Sequence, residues 1–100
     1  MKTIENKVTE IISGTPDQPK MMTYVDLCKL IINQPSQEGF TVEQIRQRLT
    51  IFGVLTVTEN PEKVEIEVKD FTALKEAINK FKWAQVHKDI VAFVDYINSL

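Results

Sequence analysis

Two helix starts are written into the first half of this chain, and they constrain its class more than any other feature. In "TYVDLCKLIINQP" Thr23 stands three residues before Asp26, a near capping box, and Tyr24, Leu27, Cys28 and Ile31 follow at helical spacing. Leu30 and Ile32 widen that stripe, and Pro35 stops it. After a "PSQEG" loop, Thr41 forms a second capping box with Gln44. Val42, Ile45, Leu49 and Phe52 then recur at i, i+3, i+7 and i+10. That spacing predicts a core-facing stripe that leaves Gln44, Gln47 and Arg48 outside and Arg46 towards the flank.

Two further helices follow the same logic. Asp70 is the expected cap of a helix carrying Phe71, Leu74, Ile78 and Phe81, with Ala77 beside the stripe. The last helix runs from about His87 to Ser99 on Ile90, Phe93, Val94 and Ile97, with His87 as a capping or surface residue. Between the helix pairs, "KVEIEVK" alternates strictly, placing Val64, Ile66 and Val68 on one strand face. Residues 50–58, "TIFGVLTVT", fit either a continued helix or the first strand of a hairpin turning at "ENPE". The hairpin is the favoured reading, because Gly53 and the threonines weaken a helix. If the helix continues, the strand needs another partner, and "KMMT" at 20–23 is the candidate.

The N-terminus reads as an appendage. Ile4, Val8, Ile11 and Ile12 fit a short amphipathic helix over residues 3–13, ended by Gly14 and Pro16. "SGTPDQPK" reads as a linker. The expected organisation is a helical or flexible segment with its linker over 1–20 and a single core domain over 21–100. The expected fold is α+β: four core helices with a short antiparallel β-hairpin, winged-helix-like.

"MTYVDLCKLIINQP" with "GFTVEQIRQRL", and "FKWAQVHKDIVAFVDYI" near the end, resemble small uncharacterised proteins encoded in tailed-phage and prophage genomes. The second stretch carries their Trp before an Ile-x-x-Phe-x-Asp helix, as Trp83, Ile90, Phe93 and Asp95. The resemblance covers roughly residues 22–98. The leading 20 residues have no counterpart in it, and "LTVT" stands where those proteins carry better helix formers. It implies a phage origin, hence the cytoplasm of a bacterial host cell, and no activity.

Chemistry is sparse. One hundred residues allow one modest core. With one Cys and one His, the chain has neither a nucleophile–base pair in a known motif nor a zinc ligand set close in sequence. Cys28 falls on an apolar stripe, where a buried thiol is the usual outcome, and as a lone cysteine it fits a reducing compartment. The glycines stand apart, so no phosphate-cradling loop is formed. No catalytic residue, metal site or cofactor is expected. The longest apolar run, Ile90 to Val94, is far short of a membrane span, and the N-terminus lacks a signal-peptide core.

Two binding functions remain. Trp83, Val91 and Tyr96 belong to an apolar excess in the last third of the chain, which points to a protein partner or a homodimer. The alternative is a winged-helix-like DNA contact. Gln44, Arg46, Gln47 and Arg48 have the side chains that read base edges, and Lys75, Lys80 and Lys82 could meet phosphate. A net charge of −2 weighs against DNA. So does the lack of a polar second helix after Leu49.

Overall fold

A computed structural model describes residues 1–15, 17–59 and 61–100. Its organisation starts at the N-terminus, where the expected helix over 3–13 is replaced by strands. Strand β1 (Lys2–Glu5) is followed by β2 (Val8–Thr15), which forms an antiparallel hairpin with β3 (Gln18–Thr23). The apolar spacing at 4, 8, 11 and 12 is compatible with a helix, but burial follows the strand period. Thr9 and Ile11 point inward, while Val8, Glu10 and Ile12 point out. The β-branched residues Thr3, Ile4, Val8, Thr9, Ile11 and Ile12 favour that outcome.

The expected linker is the turn of this hairpin, with Thr15 opposite Gln18; its Pro16 lies outside the described residues. The pairing slips between Val8 and Ile12, and the Thr9 hydroxyl repairs the break. It donates to the Met22 carbonyl at 2.6 Å and accepts the Ile11 amide at 3.1 Å. Residues 1–20 therefore belong to the core domain, with Ile4 fully buried and Ile11 nearly so.

Helix α1 (Tyr24–Ile32) begins as expected, with the reciprocal Thr23–Asp26 capping box. The N-terminal segment completes that cap from outside. The Tyr24 amide donates to the Lys7 carbonyl, and the Val25 amide to the Asn6 side-chain carbonyl, each at 2.9 Å. The first amides of the helix, which have no partner within it, are thus satisfied. Asn6 also ties down the loop before the last strand, its Nδ2 donating to the Pro61 carbonyl and its backbone amide to that of Glu62. Asn6→Ala is expected to lower stability by about 1–3 kcal/mol, because it strands the Val25 amide as well as removing two bonds. Chemical denaturation measures this, and a loss no larger than at an exposed strand residue would count against the linchpin role.

Helix α2 (Val42–Thr56) starts at the Thr41–Gln44 capping box and runs through the segment expected to form a hairpin. Its threonines are accommodated by back-bonding. Thr50 donates to the Arg46 carbonyl and Thr56 to that of Phe52. Ile51 and Leu55 bury one face, which decides for helix over strand. The helix is also rotated from expectation: Val42, Ile45 and Leu49 are 64%, 43% and 65% exposed. The buried line instead runs through Ile51 and Leu55, with Arg48 and Phe52 half-buried beside it.

Strand β4 (Lys63–Ile66) pairs with β1 rather than with 54–58 or with "KMMT", and Ile4 lies opposite Val64. Val68, expected on the strand, is the exposed first residue of helix α3 (Val68–Lys80). Asp70 does not cap α3: Glu67 holds the N-cap position, and Asp70 is buried inside the first turn. The expected stripe of Phe71, Leu74 and Ile78 is buried, with Ala77 and Phe81 packed beside it.

Helix α4 (Lys88–Ser99) buries Ile90, Phe93 and Ile97, and His87 Nδ1 caps it by accepting the Asp89 amide. Reciprocal amide bonds between Asn79 and Asn98, at 2.9 and 3.0 Å, join α3 to α4. Among the described residues the fold is thus α+β, with four helices and two small antiparallel sheets around one core. The described hairpin is the N-terminal one at 8–23, not one at 54–68.

Candidate functional site

Three adjoining clefts follow from this packing. The first lies between the hairpin, the C-terminal half of α1 and Phe52 of α2, and holds about 390 Å³. It shares Met22, Leu30 and Gln34 with a second cleft of about 340 Å³. The segment after α3 closes that second cleft, supplying Phe81, Lys82 and Trp83. A third cleft of about 300 Å³ takes Phe81 and Trp83 again and ends on Val91, Val94 and Asp95 of α4.

Trp83 is therefore central to a run of apolar surface. It is half-buried and held edge-on by Phe81 at 4.8 Å between centroids and by Phe93 at 6.4 Å. Such T-shaped contacts fix the indole without covering it. Two of the three expected interaction residues, Trp83 and Val91, meet in this groove. Tyr96 does not. Its hydroxyl accepts the Glu5 amide at 2.8 Å, its ring faces Tyr24, and Lys7 lies over it. That latch protects the outer edge of β1. Burial, followed by the Asp89 carboxylate and Tyr96, raises the Tyr24 phenol above its ordinary value.

The expected nucleic-acid residues separate into groups. Gln44, Gln47 and Arg48 of α2 meet Lys80 of α3 around a hollow of about 160 Å³, with Glu76 in the same wall. Arg48 is engaged by the fold: its Nη1 donates to the Ile32 carbonyl at 3.2 Å, and its guanidinium lies over Phe40 at 4.5 Å. It thereby satisfies the end of α1, and partial burial lowers its pKa. Arg46 is exposed elsewhere on α2, Lys75 is half-buried on α3, and Lys82 lines the Trp83 groove.

Sequence reasoning missed one constellation. Glu10, His87 and Asp89 bring a donor atom each within 4.8 Å of one another, and are the described residues that could hold a metal ion. Each is already engaged. Asp89 Oδ2 accepts the Glu10 amide at 2.8 Å, His87 Nδ1 caps α4, and Glu10 pairs with Lys88 at 3.3 Å. An imidazole whose Nδ1 accepts a hydrogen bond, as that of His87 does from the Asp89 amide, carries its hydrogen on Nε2, a donor rather than a ligand. Metal binding would forfeit the cap, and the positive end of α4 opposes a cation there. The cluster is a stitch between β2 and α4, brought together across most of the chain, and no local motif announces it. Cys28 offers no chemistry either, since burial pushes its thiol up to about 12 and disfavours the reactive thiolate.

Among the described residues no helix is long and apolar enough to cross a membrane. No protein-family model, curated protein or solved structure matches the chain.

Proposed function

We propose that this protein is a non-enzymatic binding domain, a phage-type regulatory or adaptor protein that acts through protein–protein interaction at the Trp83 groove. The observation that carries the reading is the continuity of the clefts, which share residues on either side of a half-buried indole. A rigid aromatic anchor in an apolar groove with polar edges is the anatomy of a protein-binding patch. The exposed line of Val42, Ile45 and Leu49 reaches the same groove through Phe52 and adds apolar surface that this fold leaves uncovered.

DNA contact fits the geometry less well. A winged-helix-like reader needs the hairpin at 54–68 as its wing, and α2 continues to Thr56. Arg48 is committed to α1 and Phe40, and Glu43 and Glu76 lie among the residues that would approach phosphate.

The test is selection of binders from a random peptide library on the intact protein. Trp83 is the only tryptophan, so its emission reports occupancy of the groove. Binders are expected to shift that emission and to lose about tenfold or more in affinity for Leu30→Asp, which places an unpaired charge where two clefts meet. Binders that leave Trp83 unchanged and tolerate Leu30→Asp would overturn the reading.

A further inference from the structure

The chain is net negative, yet the first two clefts of the groove are edged by positive charge. Lys20 and Lys29 line the first, and Lys82 lines the second. None of the three forms an ion pair with a described residue; the ion pair described for this fold is Lys88–Glu10. The one carboxylate in this part of the groove, Asp26, is turned to the backbone, its Oδ2 accepting the Thr23 amide at 3.0 Å. The floor between the lysines is Met22, Leu30, Phe52 and Trp83. Asp95, the other acidic residue of the groove, stands at its far end on α4.

An apolar floor with unpaired ammonium groups on its rim selects for a complementary ligand. Lysines beside apolar surface keep their stems on that surface and their heads in water, available to a carboxylate that arrives with an apolar side chain. We infer that the groove receives an amphipathic segment of another protein in which apolar anchors alternate with Asp or Glu. The anchors lie against Met22, Leu30 and Trp83, and the carboxylates meet Lys20, Lys29 and Lys82. The acidic end of the groove at Asp95 sets polarity: the carboxylates of the partner lie towards the hairpin and away from α4.

A second copy of this chain fits poorly. Lys20, Lys29 and Lys82 all line the groove, so a symmetric dimer that pairs the groove with itself brings like charges together. Single-stranded nucleic acid would satisfy the lysines, but Phe81 and Trp83 are packed edge to face against each other, so the groove does not offer the row of free ring faces on which successive bases stack.

This inference rests on the groove being a protein-binding site, and the test separates the two. Peptides are selected from the random library on the intact protein, then measured by Trp83 emission against wild type and against Lys29→Glu/Lys82→Glu. The selected sequences are expected to be net acidic, with Asp or Glu beside apolar residues. They are expected to weaken several-fold as salt rises and about tenfold or more on the charge-reversed protein. Both lysines are exposed or half-buried, so that variant folds, and an unchanged thermal transition checks it. Neutral or basic peptides that still shift Trp83 would overturn the acidic specificity and leave the protein-binding reading standing. Failure to obtain any groove binder would overturn both. Displacement of the peptides by oligothymidine would assign the lysines to nucleic acid. A concentration-dependent Trp83 shift without peptide would place a second copy in the groove. Either result overturns the inference.

Discussion

Ile4→Ala is expected to lower the free energy of unfolding by about 2–5 kcal/mol, the range for truncating a buried isoleucine. Ile4 has no accessible surface, lies opposite Val64 in the two-stranded sheet, and belongs to the same core as Leu74, Phe93 and Ile97. Domains of this size are stable by only about 5–15 kcal/mol, so one methyl-rich side chain near the chain's start carries a large share. Val8→Ala is the internal control. Val8 is 69% exposed on the outer face of β2, and its truncation is expected to change stability by about 0.5 kcal/mol or less. Equilibrium denaturation of both variants decides the matter. Equal, small effects would mean that residues 1–20 are the appendage their apolar spacing suggests.

That pairing shows where the sequence was legible and where it was not. Helices α1, α3 and α4 could be read because their signals are local: Thr23 with Asp26, the Phe71–Leu74–Ile78 stripe, and the Ile90–Phe93–Ile97 stripe all lie within one element. The N-terminal strands could not be fixed by period alone. Ile4, Val8, Ile11 and Ile12 fit a helix as well as a strand; the partner that decides for Ile4, Val64 in β4, lies far along the chain, while Val8 and Ile12 are decided by β3 across the hairpin turn. The Asn6 contacts that complete the cap of α1 are equally non-local.

The candidate site was legible only in its anchors. Trp83 and Val91 stood out as apolar excess, but their neighbours Met22, Leu30 and Phe52 come from three other elements. Lys20 and Lys29 had no reason to be singled out until the hairpin turned Lys20 towards α1. Lys82 was noticed for its charge and assigned to phosphate. Its place beside Trp83 is what changes its meaning.

Helix α2 presents the sharpest conflict, and its resolution makes the second large prediction. The helix carries two apolar lines. One passes through Val42, Ile45, Leu49 and Phe52, the other through Ile51 and Leu55 beside Arg48. The first starts at the capping box, which makes it the natural choice for the core. The fold buries the second, because Arg48 must reach the Ile32 carbonyl and Ile51 must sit over α1 and α3. Leu49 and Ile51 are two residues apart and nearly opposite on the helix, so only one of them can face the core. Ile51→Ala is therefore expected to cost about 2–5 kcal/mol, and Leu49→Ala less than about 1 kcal/mol.

Thermal and chemical unfolding of the two variants, made in parallel, measures the difference. The reverse order would require α2 to turn its capping-box stripe inward, which would carry Phe52 away from the groove and break the Arg48 bond. With the order as expected, Val42, Ile45 and Leu49 contribute little to holding the fold. Three large apolar side chains on one exposed line are then surface that would extend the proposed binding groove along α2 from Phe52.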